Sequence, residues 1–162
     1  MGKGAPQLDD SLSAGEGRYA VVVARWNEAI TEKLRAGAVE TLKAHGADDS
    51  QIEVFHVPGS FELPMLADKL ACSKRYVAVI CLGVVIEGET MHHEYIDHAV
   101  AHGIMRAAQT SGVPVMFGVL TCRNEQQALD RAGGPVGHKG KEAAEAAIAM
   151  VNTYRSLEIS DC

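Results

Sequence analysis

None of the four cysteines in this 162-residue chain (Cys72, Cys81, Cys122 and Cys162) lies in a CxxC pair. No disulfide framework can be read from such spacing, and the pattern suits a reducing compartment. Basic runs are missing too, and the net charge of −6 argues against a general nucleic-acid binder, although a local cationic site is still allowed. No apolar stretch approaches the ~20 residues of a membrane span. The first residues lack a basic segment followed by an apolar run, so no signal peptide is expected and the chain reads as cytoplasmic. There is no internal repeat and no linker between domains.

What remains is a chain nearly half hydrophobic, most economically one domain. Residues 1–17 mix Gly, Asp, Ser and Glu and read as a flexible tail, leaving 18–162 as a single α/β domain. The run YAVVVAR at 19–25 is apolar and valine-rich, as in a strand buried on both faces. A helix is expected over 28–45, with Ile30, Leu34, Ala38 and Leu42 on one stripe and Gly46 as its stop. A second strand spans 52–57, and Ser60 offers a cap for a helix carrying Leu63, Leu66, Ala67 and Leu70 inward. Strands at 76–85 and 113–120 bracket a helix over 92–110. A short helix at 125–131 and an alanine-rich one at 139–155 complete the chain. Four strand–helix alternations of this kind predict a parallel sheet covered by helices on both faces.

In such sheets ligands gather beyond the carboxyl ends of the strands. Trp26 and Asn27, residues 58–62, residues 84–92 and Thr121 all fall there. The segment 82–95, LGVVIEGETMHHEY, carries the most chemistry. A buried strand passes into a glycine-bracketed loop and then a helix start. Exposed amides beside the positive end of a helix dipole suit an anion, and a histidine close by can move protons near neutral pH. His98 and His102 share a helix face at a spacing that can bind metal, but with no third ligand and no HExxH they read as a solvated face. No metal site is expected.

Five motifs carry a family resemblance: RWN at 25–27, VPGSFELP at 57–64, LGVVIEGETMH at 82–92, VPVMFGVLT at 113–121 and EQQALDRAG at 125–133. In this order and spacing, covering about 19 to 150, the chain resembles the 6,7-dimethyl-8-ribityllumazine synthases of riboflavin biosynthesis. The resemblance implies a flavodoxin-like three-layer sandwich with a four-stranded parallel sheet. The implied reaction condenses 5-amino-6-(D-ribitylamino)uracil with 3,4-dihydroxy-2-butanone 4-phosphate and needs no cofactor.

The same resemblance implies a role for each matching residue. Trp26 would stack on the pyrimidine, which Ser60, Phe61, Glu62, Val84, Val85 and Ile86 would also meet together with the ribityl chain. Phe117 would reach that ring across a subunit interface. Glu89, Thr90, Arg131 and Lys139 would hold phosphate, and His92 would shuttle protons. His93 stands where the family often has an aromatic residue. Adjacent helical residues diverge by about 100°, so His92 and His93 should not both face the substrate.

Two departures stand out: His138 occupies the place of a usual asparagine, and Pro135 that of a polar residue. The resemblance further implies a homopentamer, a 60-subunit shell favoured by the compact loop between Arg131 and Lys139, and riboflavin synthase as a partner. Two rival readings use the same scaffold. A phosphoacceptor receiver needs clustered acids where this chain has Arg25-Trp26-Asn27, and fails; a non-catalytic flavin-binding or shell-forming protein would not need His92 and Arg131.

Overall fold

The valine-rich run folds as β1 (Tyr19–Ala24), with every residue buried. It lies inside a sheet that also contains β2 (Ile52–Val57), β3 (Ala78–Ile86) and β4 (Val115–Cys122) in the order β2-β1-β3-β4, all parallel. The computed structural model describes residues 11–157, so most of the expected tail and Cys162 lie outside the described residues. Parallel neighbours cannot be joined by tight turns and need crossover connections. Those are α1 (Glu28–Ala44), α2 (Leu63–Cys72) and α3 (His92–Ser111). Beyond β4 come α4 (Glu125–Asp130), a two-stranded antiparallel ribbon of β5 (Ala132–Gly134) and β6 (Gly137–His138), and α5 (Lys139–Ser156).

Successive side chains of a strand point to opposite faces, and β1 feeds two cores in this way. Tyr19, Val21 and Val23 pack with Ile30, Leu34 and Leu42 of α1 and Ile148 of α5. Ala20, Val22 and Ala24 pack with Leu63 and Ala67 of α2 and with Val100 and Ile104 of α3. The result is the expected α/β three-layer sandwich. β2 and β4 form its edges. β2 is only half-buried along most of its length, and β4 leaves Phe117 and Thr121 exposed.

The structure departs from the sequence expectations at several boundaries. β4 starts two residues late because Pro114 has no N–H to give the ladder; its carbonyl accepts from Val79 N instead, at 2.9 Å. Tyr76 lies ahead of β3, buried, with its hydroxyl donating to Glu53 Oε2 at 2.5 Å. Ser60 does not cap a helix: Gly59 takes that position for one turn of 3-10 helix (Ser60–Glu62), and α2 begins at Leu63 with Pro64 in its first turn. The ribbon was not foreseen. Its strands are three and two residues long and rich in glycine, too short to show any period in the sequence.

The chain is also held earlier than a tail ending at Gly17 would suggest. Ala14 is fully buried; its N–H donates to His45 O at 2.9 Å and its carbonyl accepts from the Tyr19 hydroxyl at 2.8 Å. Gln51 Nε2 donates to both Gly15 O and Gly17 O, at 2.9 and 2.8 Å. Backbone polar groups that approach a core must find partners, and these contacts supply them for Ala14, Gly15 and Gly17.

The sandwich depends on α1 lying flat on the sheet. Leu34, fully buried in the core that α1 shares with β1 and α5, should cost about 2–5 kcal/mol when replaced by alanine. Urea unfolding of Leu34→Ala, read as a lower midpoint at unchanged slope, measures it.

Candidate active site

At the carboxyl edge of the sheet, the turns after β1, β2 and β3 enclose a cleft of about 560 Å³. Its first wall follows β1. Asn27 adopts the left-handed conformation (φ 59°, ψ 47°), which asparagine tolerates better than most residues. Its carbonyl accepts from the N–H groups of Ile30 and Thr31, so it caps α1 through the backbone while its side chain makes no capping bond. This abrupt turn throws Trp26 outward, 73% exposed, with Trp26 N tied to Pro58 O at 3.1 Å.

The second wall is the turn after β2. Ser60 is buried, and its hydroxyl donates to Val84 O at 3.3 Å. A Cβ on Gly83 would come within 2.5 Å of Ser60 Oγ, so glycine at 83 is what lets this turn lie directly on β3. Glu62 accepts from Gly59 N through Oε2 at 2.8 Å, which fixes its carboxylate at the edge of the cleft. Phe61 is exposed beside it. The floor is the end of β3, where Val84, Val85 and Ile86 all line the cleft.

The third wall is α3. His92, its first residue, lines the cleft, as do Tyr95 and Ile96 one turn later. His93 does not: its Nδ1 donates to Thr90 O at 3.0 Å and turns the ring back onto its own loop. Behind it Asp97 has one buried carboxylate oxygen, Oδ1, without a hydrogen-bond partner. Burial raises the Asp97 carboxyl above the ordinary range, against the pull of His93 and His98, with Glu94 adding to the rise.

Eight residues singled out in the sequence thus meet in one cleft: Trp26, Ser60, Phe61, Glu62, Val84, Val85, Ile86 and His92. Glu89, Thr90, Phe117, Arg131 and Lys139 do not line it. Glu89 and Thr90 are exposed in the loop ahead of α3. Phe117 is 38% exposed on edge strand β4, in register with Cys81 and well back from the strand's carboxyl end.

Arg131 and Lys139, eight positions apart in sequence, are neighbours across the mouth of the ribbon, where Lys139 N donates to Arg131 O at 2.8 Å. The Arg131 guanidinium donates to Gln127 O at 3.0 Å and also opposes, by its charge, the rise that burial imposes on the Cys122 thiol. Lys139 Nζ lies 3.8 Å from Glu142. Tyr95 and Ile96 were not singled out as site residues. Their signal was their spacing, three and four residues after His92, which puts all three on one helical face.

His98 and His102 are exposed, and no group of three or more potential metal ligands occurs among the described residues. No helix of the described chain is long and apolar enough to cross a membrane.

The arrangement offers flat aromatic surface, a strand end with polar backbone, a fixed carboxylate and an imidazole around one opening, with two cations paired outside it. A family model described as 6,7-dimethyl-8-ribityllumazine synthase matches residues 16–155, which takes in all four sheet strands and every candidate site residue. The chain therefore belongs to the 6,7-dimethyl-8-ribityllumazine synthase family, and with it to riboflavin biosynthesis.

Proposed function

We propose that this protein condenses 5-amino-6-(D-ribitylamino)uracil with 3,4-dihydroxy-2-butanone 4-phosphate to give 6,7-dimethyl-8-ribityllumazine, phosphate and water. The observation that carries the reading is the cleft that joins Trp26, Glu62, the end of β3 and His92, in a chain matched over most of its length by the family.

On this reading the indole of Trp26 stacks on the pyrimidine, and the backbone at Val84–Ile86 meets its polar edge. Ser60, Phe61 and Glu62 flank the ring and the ribityl chain. One amine adds to the ketone and water leaves to give an imine; phosphate is eliminated, and the ring closes as the second amine attacks the remaining carbonyl and a second water leaves. His92 carries protons between these steps, a task suited to an imidazole near neutral pH. Much of the acceleration comes from holding two reactants in register.

Glu89 and Thr90 offer amides and a hydroxyl at the helix start, where phosphate is favoured; a carboxylate beside phosphate is repulsive, so Glu89 serves through its backbone. Arg131 supplies a planar fork matched to phosphate oxygens, and Lys139 a second positive charge.

Phe117, Arg131 and Lys139 line no wall of the cleft within one chain. That supports a site shared between neighbouring copies, with the exposed face of β4 against the next subunit. A homopentamer is the assembly proposed, closing further into a 60-subunit shell, and riboflavin synthase is its proposed partner.

Three experiments bear on this. Mixed with both substrates, the assembled protein should form fluorescent lumazine faster than the uncatalysed reaction; no acceleration sinks the enzymatic reading and leaves a binding or shell protein. His92→Ala should lower kcat on the order of a hundredfold with pyrimidine affinity retained, and an unchanged kcat removes it as the proton carrier. Arg131→Ala should raise KM for the butanone phosphate by roughly ten- to a hundredfold, the worth of a charged hydrogen bond. If pyrimidine affinity alone fell, Arg131 would not be a phosphate ligand.

A further inference from the structure

The ribbon that brings Arg131 and Lys139 together is a weak element by itself. Its outer residues, 133–136, are all exposed, and Gly133 and Gly137 both have positive φ (103° and 135°). Besides the Lys139–Arg131 bond, it is closed by Val136 N donating to Asp130 O at 3.0 Å and by the pairing of Ala132 with His138. Ala132, buried in the core, holds one foot of the ribbon, and the other foot needs an anchor of its own.

His138 is in place to provide it. It is half-buried, and its ring fills the space beside Gly37 on the buried stripe of α1. A Cβ added at Gly37 would overlap three atoms of the imidazole, and one at Gly133 would come within 3.2 Å of Cδ2. Glycine inside a helix is disfavoured relative to alanine, so Gly37 marks room kept for this ring. His138 is also the cap of α5, with Nδ1 accepting from Lys141 N at 3.4 Å. One side chain therefore touches the ribbon, α1 and α5, immediately beside Lys139.

We propose that His138 is a positioning residue for phosphate: its neutral imidazole, packed against Gly37 and capping α5, fixes the ribbon that presents Arg131 and Lys139. This rests on the assignment of those two cations to the phosphate of the butanone substrate. The cap needs a lone pair on Nδ1. A protonated ring would set N–H against the Lys141 N–H and place a cation at the positive end of the α5 dipole.

Burial lowers the affinity of His138 for a proton below its ordinary value of 6.5, with Lys141 acting in the same direction. Glu40 from α1, Glu142 from α5 and the residue's own backbone oppose the shift. With the folded value depressed, the contribution of the neutral ring is complete above about pH 6.5. It is lost as pH falls through the folded value.

The test uses the full-length assembled protein, His138→Asn, His138→Ala and Gly37→Ala, between pH 5.5 and 7.5. Asparagine caps helices well and does not titrate. At pH 7.5 His138→Ala should raise KM for the butanone phosphate about fivefold, the worth of a helix cap, with kcat retained, and His138→Asn should restore KM. Gly37→Ala should reproduce the KM defect in the wild-type background and add nothing to His138→Ala.

Sulfate, whose charge is constant over this range, serves as the anion probe. Its affinity should fall towards pH 5.5 in the wild type and stay flatter in His138→Asn, and the urea midpoint should show the same difference. An unchanged KM in His138→Ala overturns the proposal, as does a wild-type pH profile in His138→Asn. If the wild-type protein turned over neither substrate, the proposed reaction would fail, but the sulfate and urea profiles would still decide whether His138 anchors a cationic ribbon. Absence of sulfate binding to the wild type counts against the proposal too.

Discussion

Burial of β1 and β3 on both faces is the constraint from which the rest of this molecule follows. A strand with helices above and below can carry only groups that need no water, because a buried polar group without a partner costs several kcal/mol. β1 is accordingly apolar but for the Tyr19 hydroxyl, which donates to Ala14 O, and β3 carries no polar side chain beyond the Cys81 thiol. Chemistry is excluded from the interior of the sheet. It moves to the strand ends, where backbone amides lose their ladder partners and helices begin. In a parallel sheet those ends share one edge, so turns distant in sequence become neighbours.

Two short-range features turn that general tendency into a cleft. The left-handed Asn27 lets α1 start after a three-residue turn from β1 and leaves Trp26 projecting from that turn. Glycine at 83 lets Ser60 rest on β3, which brings the turn after β2 against the strand end instead of away from it. Both determine where an aromatic ring and a carboxylate stand relative to His92.

The cationic part is built differently. Arg131 and Lys139 lie at the two feet of a small ribbon whose glycines permit its bend, and their relative placement comes from backbone hydrogen bonds. Outside support reaches this ribbon through buried Ala132 and through His138, in the room left at Gly37. The imidazole of His138 is thus accommodated by the space left at Gly37 on another helix, which makes it part of the packing.

The sequence by itself determined the alternation of strands and helices, the two-faced burial of the sheet and the identity of most cleft residues. Valine runs, 3.6-residue stripes and the strand-end motifs are local signals, and β2 falls at the expected residues, 52–57. It also implied that His92 and His93 would diverge, because adjacent helical positions point apart. Only the tertiary structure decided that Ser60 bonds to β3 instead of capping a helix, that residues 14–17 dock on the sandwich and that His138 packs against Gly37. Each of these depends on a partner in another element, such as residues 60 and 84 or 37 and 138. Such contacts leave no period and no motif in the chain, because the partners become neighbours only when the sheet and its helices have closed.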